Sequence, residues 1–164
     1  MRVPVALGLD NGVEAAVYLA DEISLTPRLT LYGGLRFVSY FVLGPDEVNV
    51  YGEGLPIQAG SVVDVFNAEP YELIKTYTGL EPRLALNFML GANNSLKLSY
   101  NRVNQFLFML SNTIAISPTD QWKLCDYNIV PPYVDQLSMG FYQDFPRGGI
   151  STSLEVYYKK IEDV

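Results

Sequence analysis

Asp120, Trp122, Lys123, Asp126 and Tyr127 stand close together in the second half of the chain. Trp and Tyr rings stack on planar or sugar-like groups, and carboxylates and an ammonium orient polar ones. The chemistry this set offers is therefore recognition of a ligand on a loop surface, not bond making. The competing reading is a self-satisfied loop packed on neighbouring strands, stiffened by Pro118, Pro131 and Pro132.

Residue types elsewhere exclude most reaction classes. The chain has no histidine, which removes Ser-His-Asp and Cys-His catalysis and most zinc sites. The single cysteine, Cys125, can form neither an internal disulfide nor a thiolate metal site by itself. Asp46, Glu47, Glu53 and Asp64 lack the spacing of a calcium loop and read as solvated charge. Carboxylates abound, but nothing fixes a pair at the separation glycoside hydrolysis needs. No helix follows Gly33-Gly34, so it cannot cradle a phosphate. A net charge of −7 gives no nucleic-acid footprint. The chain is read as a non-enzyme with no cofactor and no metal.

Period-two alternation supplies the elements that position these residues. It runs over Gly12 to Glu22, Arg28 to Ser39, Pro82 to Leu90, Ser95 to Asn101, Asp135 to Tyr142 and Ile150 to Lys159. One face of each run is apolar, as in Leu84, Leu86 and Phe88. The other face carries Glu14, Arg36, Arg83, Lys97 and Glu155 among Ser, Asn and Thr. These charges would line a lumen or pair across strands.

The pattern predicts about six strands of roughly 9–12 residues, near the length a tilted strand needs to cross a bilayer. Short turns near Thr26, Ala92 and Arg147 alternate with long loops at about 44–80 and 107–134. Within the first, Val48 to Tyr51, Val62 to Phe66 and Glu72 to Tyr77 have extended character. Tight turns on one side and long loops on the other mark a transmembrane barrel. Tyr40-Phe41, Tyr100, Phe106, Phe141-Tyr142 and Tyr157-Tyr158 fit interfacial girdles. Charged residues make up only 18% of the chain, where about 25% is usual for soluble domains. Met1 to Leu9 is too short for a signal peptide.

Specific segments carry a resemblance. Ser99-Tyr100-Asn101-Arg102, Leu110-Ser111-Asn112-Thr113, Ala115-Ile116-Ser117-Pro118-Thr119-Asp120 and Trp122-Lys123-Leu124 follow one another in order. With Glu81-Pro82-Arg83-Leu84, Asp135-Gln136 and Glu155 to Lys160, they resemble the barrel of TonB-dependent outer-membrane receptors. The nearest type carries a carboxypeptidase-regulatory-like domain ahead of its plug. Cys125 departs from the small polar residue expected there.

The resemblance implies an all-β fold: an antiparallel up-and-down transmembrane β-barrel, partial, with about six strands of a larger barrel of about 22. It implies one domain over 1–164, without plug, energy-coupling box or closing strand, from the outer membrane of a Gram-negative bacterium. The ending Ile161-Glu162-Asp163-Val164, which lacks a terminal aromatic, agrees. The implied function is import of a scarce nutrient such as a siderophore, cobalamin or glycan, driven by TonB-coupled energy. The implied partners are outer-membrane lipid, the receptor's own plug, the TonB complex and the nutrient. A complete small barrel of about eight strands with a structural role, and a soluble β-sandwich binding module, stay open beside it.

Overall fold

The computed structural model describes residues 10–110 and 121–163. The strands, in chain order, are β1 (Asn11–Thr26), β2 (Leu29–Leu43), β3 (Asp46–Tyr51), β4 (Val62–Ala68), β5 (Leu73–Met89), β6 (Asn94–Asn104), β7 (Leu107–Leu110), β8 (Gln121–Leu124), β9 (Tyr133–Phe145) and β10 (Ile150–Glu162). Six of them form one open antiparallel sheet in the order β1-β2-β5-β6-β9-β10, a partial barrel. β3 pairs with β4 and β7 with β8 in separate two-stranded sheets.

All six expected alternating runs are strands, and the three extended segments of the first loop are β3, β4 and the start of β5. Tight turns at 27–28, 90–93 and 146–149 join β1 to β2, β5 to β6 and β9 to β10. Gly149 takes the left-handed conformation (φ 63°) that closes the last of them. β2 and β5, at 15 and 17 residues, exceed the expected length because they run on past the alternating region. Their extensions, from Ser39 on β2 and up to Tyr77 on β5, belong to a second compact unit with both long connections.

The two units bury different things. The unit with the long connections has an apolar core of Tyr40, Val42, Val48, Ala68, Phe106 and Cys125. Tyr40 and Phe106 stack there at 4.8 Å between ring centroids. They are core, not girdle: both rings are buried. The sheet unit has Val38, Glu81, Pro132 and Gly140 as its buried residues among those described. A single layer has two open faces and so no interior.

Register then decides what each face of that layer presents. Three rows cross β5, β6, β9 and β10: Leu84–Tyr100–Leu137–Tyr158, Leu86–Leu98–Met139–Val156 and Phe88–Leu96–Phe141–Leu154. These side chains share one face, and Leu154 is 69% exposed. The alternate rows Arg83–Asn101–Gln136–Lys159 and Asn87–Lys97–Gly140–Glu155 make the other face polar.

Candidate functional site

The loop candidates sit in and after the β7–β8 hairpin. β8 pairs Trp122 with Met109 and Lys123 with Phe108, so alternation sends Trp122 and Lys123 to opposite faces. Lys123 Nζ lies 3.0 Å from a carboxylate oxygen of Asp10 and 3.0 Å from one of Asp126. Asp126 Oδ1 accepts the backbone N–H groups of Asn128 and Ile129, each at 2.8 Å, an Asx turn. The Tyr127 carbonyl accepts Lys75 Nζ at 3.0 Å, while the ammonium sits 4.7 Å from the Tyr127 ring centroid. The same ring meets Phe66 edge-on.

The backbone of this segment is pinned as well. Tyr77 Oη donates to the Asp126 carbonyl at 2.8 Å, Asn128 Nδ2 to the Asn49 carbonyl at 3.1 Å and Tyr40 Oη to the Cys125 carbonyl at 3.3 Å. Electrostatics follow this packing. Burial raises the Asp126 carboxyl, but the hydrogen bond from Lys123 and the two N–H donors outweigh it and leave it below its ordinary value. Burial likewise opposes the Lys123 charge, yet Asp126 and Asp10 hold its pKa above the usual lysine value. Burial keeps Asp46 raised against the nearby Lys123 charge. Burial and the Asp126 charge push the Cys125 thiol up to about 11, so it is an unreactive core residue.

Lys123, Asp126 and Tyr127 are thus brought together as the joinery of the unit. Trp122 is apart, 68% exposed. Asp120 lies outside the described residues, as do Met1 to Leu9, Pro118 and most of the family-like stretch before Trp122. Reading the sequence missed Lys75, Tyr77 and Asp10. Lys75 and Tyr77 share a face at i and i+2, which is legible; that this face receives residue 127 is not.

On the polar face of the sheet, Arg36 Nη1 donates to Glu81 at 2.8 Å, and Glu81 is fully buried. The other Glu81 oxygen accepts the Asn104 N–H at 2.9 Å and Asn104 Nδ2 at 3.2 Å. Pro82, next in β5, has no N–H to offer, and the β5–β6 register runs from Arg83–Asn101 onward. Glu81 takes over where the proline interrupts the ladder. Lys97 Nζ stands 4.5 Å from the Tyr142 ring centroid, and Tyr142 Oη donates to Glu155 at 2.7 Å. Asn87, Lys97, Gln136, Tyr142 and Glu155 line a groove of about 480 Å³. Arg83 occupies the same face two positions from Glu81. Glu14, in the exposed part of β1, belongs to the other unit.

A family model described as "TonB dependent receptor-like, beta-barrel" matches residues 9–164. The chain belongs to that family. No curated protein and no solved structure matches it. Members of the TonB-dependent receptor family are transporters of the Gram-negative outer membrane and not enzymes. In such barrels an apolar exterior meets lipid and polar residues face the lumen. The described residues contain no group of three or more His, Cys, Asp or Glu able to hold a metal.

Proposed function

We propose that this chain is barrel wall and outward loop of an active-transport receptor that imports a scarce nutrient with TonB-coupled energy. The observation that carries the reading is the two-faced register: three apolar rows on one side of β5, β6, β9 and β10, polar rows on the other. From Asn94 to Arg102 the strand rises about 27 Å, or roughly 20 Å along the membrane normal at the usual tilt, close to the band of an outer-membrane barrel. Arg36, Arg83, Lys97 and Glu155 then face the lumen, where the plug resides. Asn87 Oδ1, buried on this face without a hydrogen-bond partner among the described residues, is an acceptor for what fills it. Glu14 continues the polar alternation of β1. The nutrient would meet the outward loops, and Trp122 is the loop candidate whose side chain is presented for contact.

Nitroxide labels at adjacent positions of β6 test the reading in outer membranes. A label at Leu98 is expected to be relaxed by oxygen and shielded from a water-soluble nickel complex, and one at Lys97 is not. Equal response at both positions would overturn the membrane assignment. Nutrient uptake that continues without the TonB complex would overturn the energised part.

A further inference from the structure

The apolar band ends, on the side of the long connections, in charge. The next row on the same face is Arg102–Asp135–Lys160, and after it come Tyr133 and Glu162, which pair across β9 and β10. Arg102 donates Nε and Nη2 to the two Asp135 oxygens at 2.8 and 2.7 Å, and Tyr100 Oη donates to Asp135 at 2.7 Å. Tyr133 Oη donates to Glu162, and Lys160 pairs with Glu162. The Arg102 guanidinium also lies over the Tyr133 ring at 4.5 Å.

The charges balance, but the hydrogen-bonding capacity does not. Carboxylates only accept, and each of these already receives two or three donors. The bases only donate. Asp135 takes only Nε and Nη2 of the Arg102 guanidinium, and Lys160, 58% exposed, has Nζ on Glu162. The bases are also more exposed than the acids they pair with: 36% against 22% for Arg102 and Asp135, 58% against 34% for Lys160 and Glu162. What this row still offers is N–H, at the border of an exposed apolar face and beside Tyr100, Tyr133 and Tyr158. That is the setting in which basic side chains and tyrosines meet headgroups.

We propose that Arg102 and Lys160 form a site on the outer wall of the barrel for the phosphate of an anionic lipid in the outer leaflet. The proposal rests on the membrane assignment above. Arg102 is the donor held by Asp135 and Tyr133; Lys160, paired with Glu162, is the more exposed one.

The full-length receptor, extracted from outer membranes, is mixed with detergent micelles holding phosphatidylglycerol and phosphatidylcholine in equal amounts, and native mass spectrometry counts each bound lipid. A preference for phosphatidylglycerol of about fivefold per base is expected at low salt, weakening as salt rises. R102Q/K160Q is expected to lose it, and K97Q, on the opposite face, to keep it. No preference in the parent, or an undiminished one in R102Q/K160Q, overturns the site. Heat-modifiable migration on a gel reports each variant's fold. If R102Q/K160Q does not fold, K160Q alone carries the test, and an unchanged preference in it overturns the site. A parent that shows no heat-modifiable barrel refutes the membrane assignment itself, and the site falls with it.

Discussion

At the scale of the residue, ionic contacts here hold the chain to itself. Glu81 is the clearest case: a buried carboxylate with a guanidinium on one oxygen and two N–H donors on the other. Glu81→Ala strands the Asn104 N–H and removes a partner of Arg36, so it should cost about 2–4 kcal/mol. Glu81→Gln, which keeps an acceptor, should cost less; the urea dependence of the heat-modifiable gel shift measures both. Asp126 and Lys123 make a pH prediction with two limits. The lowered Asp126 pKa means its contribution is complete above the ordinary value of 3.8 and fades as pH falls through the lower folded value. The raised Lys123 pKa means its contribution is complete below 10.5 and fades as pH rises through the higher folded value. Asp46 has the opposite sign to Asp126, since its raised pKa makes protonation favour the fold. Amide exchange in residues 125–130 should therefore be slow through neutral pH and quicken below pH 3.8 and above 10.5, after correction for intrinsic rates. Asp126→Asn should remove the acid limit; an unchanged acid limit in that variant would sink the assignment.

At the scale of the element, alternation made the sheet legible and hid the loops. Six strands and three turns follow from residue types two apart and from Pro, Gly and Asn at the reversals. The polar face was legible too, because a period of two assigns Arg83, Lys97 and Glu155 to one side whatever their partners are. Partners were not legible, since register couples residues 13 to 50 positions apart, as in Tyr142 with Glu155 or Tyr77 with Tyr127. Hence Tyr40 and Phe106 read as girdle though they are core, and the partners that Asp126 and Tyr127 find within their own unit could not be named, though a self-satisfied loop stood as one of the two readings. This separates two classes of loop variant. Trp122→Ala should leave stability within about 0.5 kcal/mol. Lys75→Met, which removes a cation seated against two tyrosine rings, should cost about 1–2 kcal/mol and loosen residues 125–131. Within β9, Gly140 lies beneath the Tyr142 ring, and a Cβ there would come within 2.9 Å of a ring carbon. Gly140→Ala should displace the ring from Glu155 and cost about 1–3 kcal/mol. Equal chemical denaturation midpoints for Lys75→Met and Trp122→Ala would contradict the division.

At the scale of the molecule, the sheet makes sense only with something against each face and each edge. β1 and β10 end the strand order, and a membrane does not tolerate unpaired N–H and C=O groups. The extra strands of the first long connection do not supply the missing partners, because β3 and β4 pair with each other. The six strands that this sheet has among the described residues are also fewer than the eight of the smallest bacterial barrels, which favours a wall segment over a complete small barrel. The faces settle the rest by energy. Met139, Leu98 and Val156 are each exposed in a common row, and exposed apolar area of that extent in water is an aggregation hazard. In lipid it is the ground state. The consequence is an asymmetry between adjacent residues of one strand. Met139→Arg, on the apolar face at mid-band, should cost about 2–4 kcal/mol of membrane stability. Ser138→Arg, one position away and facing Ser99 and Tyr157 on the polar side, should cost far less. Folding into lipid vesicles from urea, followed by gel shift, measures both. A soluble sandwich would also make Met139→Arg the costlier change, because there the apolar row is the core and Ser138 faces water, but it would show that cost without vesicles; equal costs would leave the two faces indistinguishable and remove the basis for a membrane-facing wall.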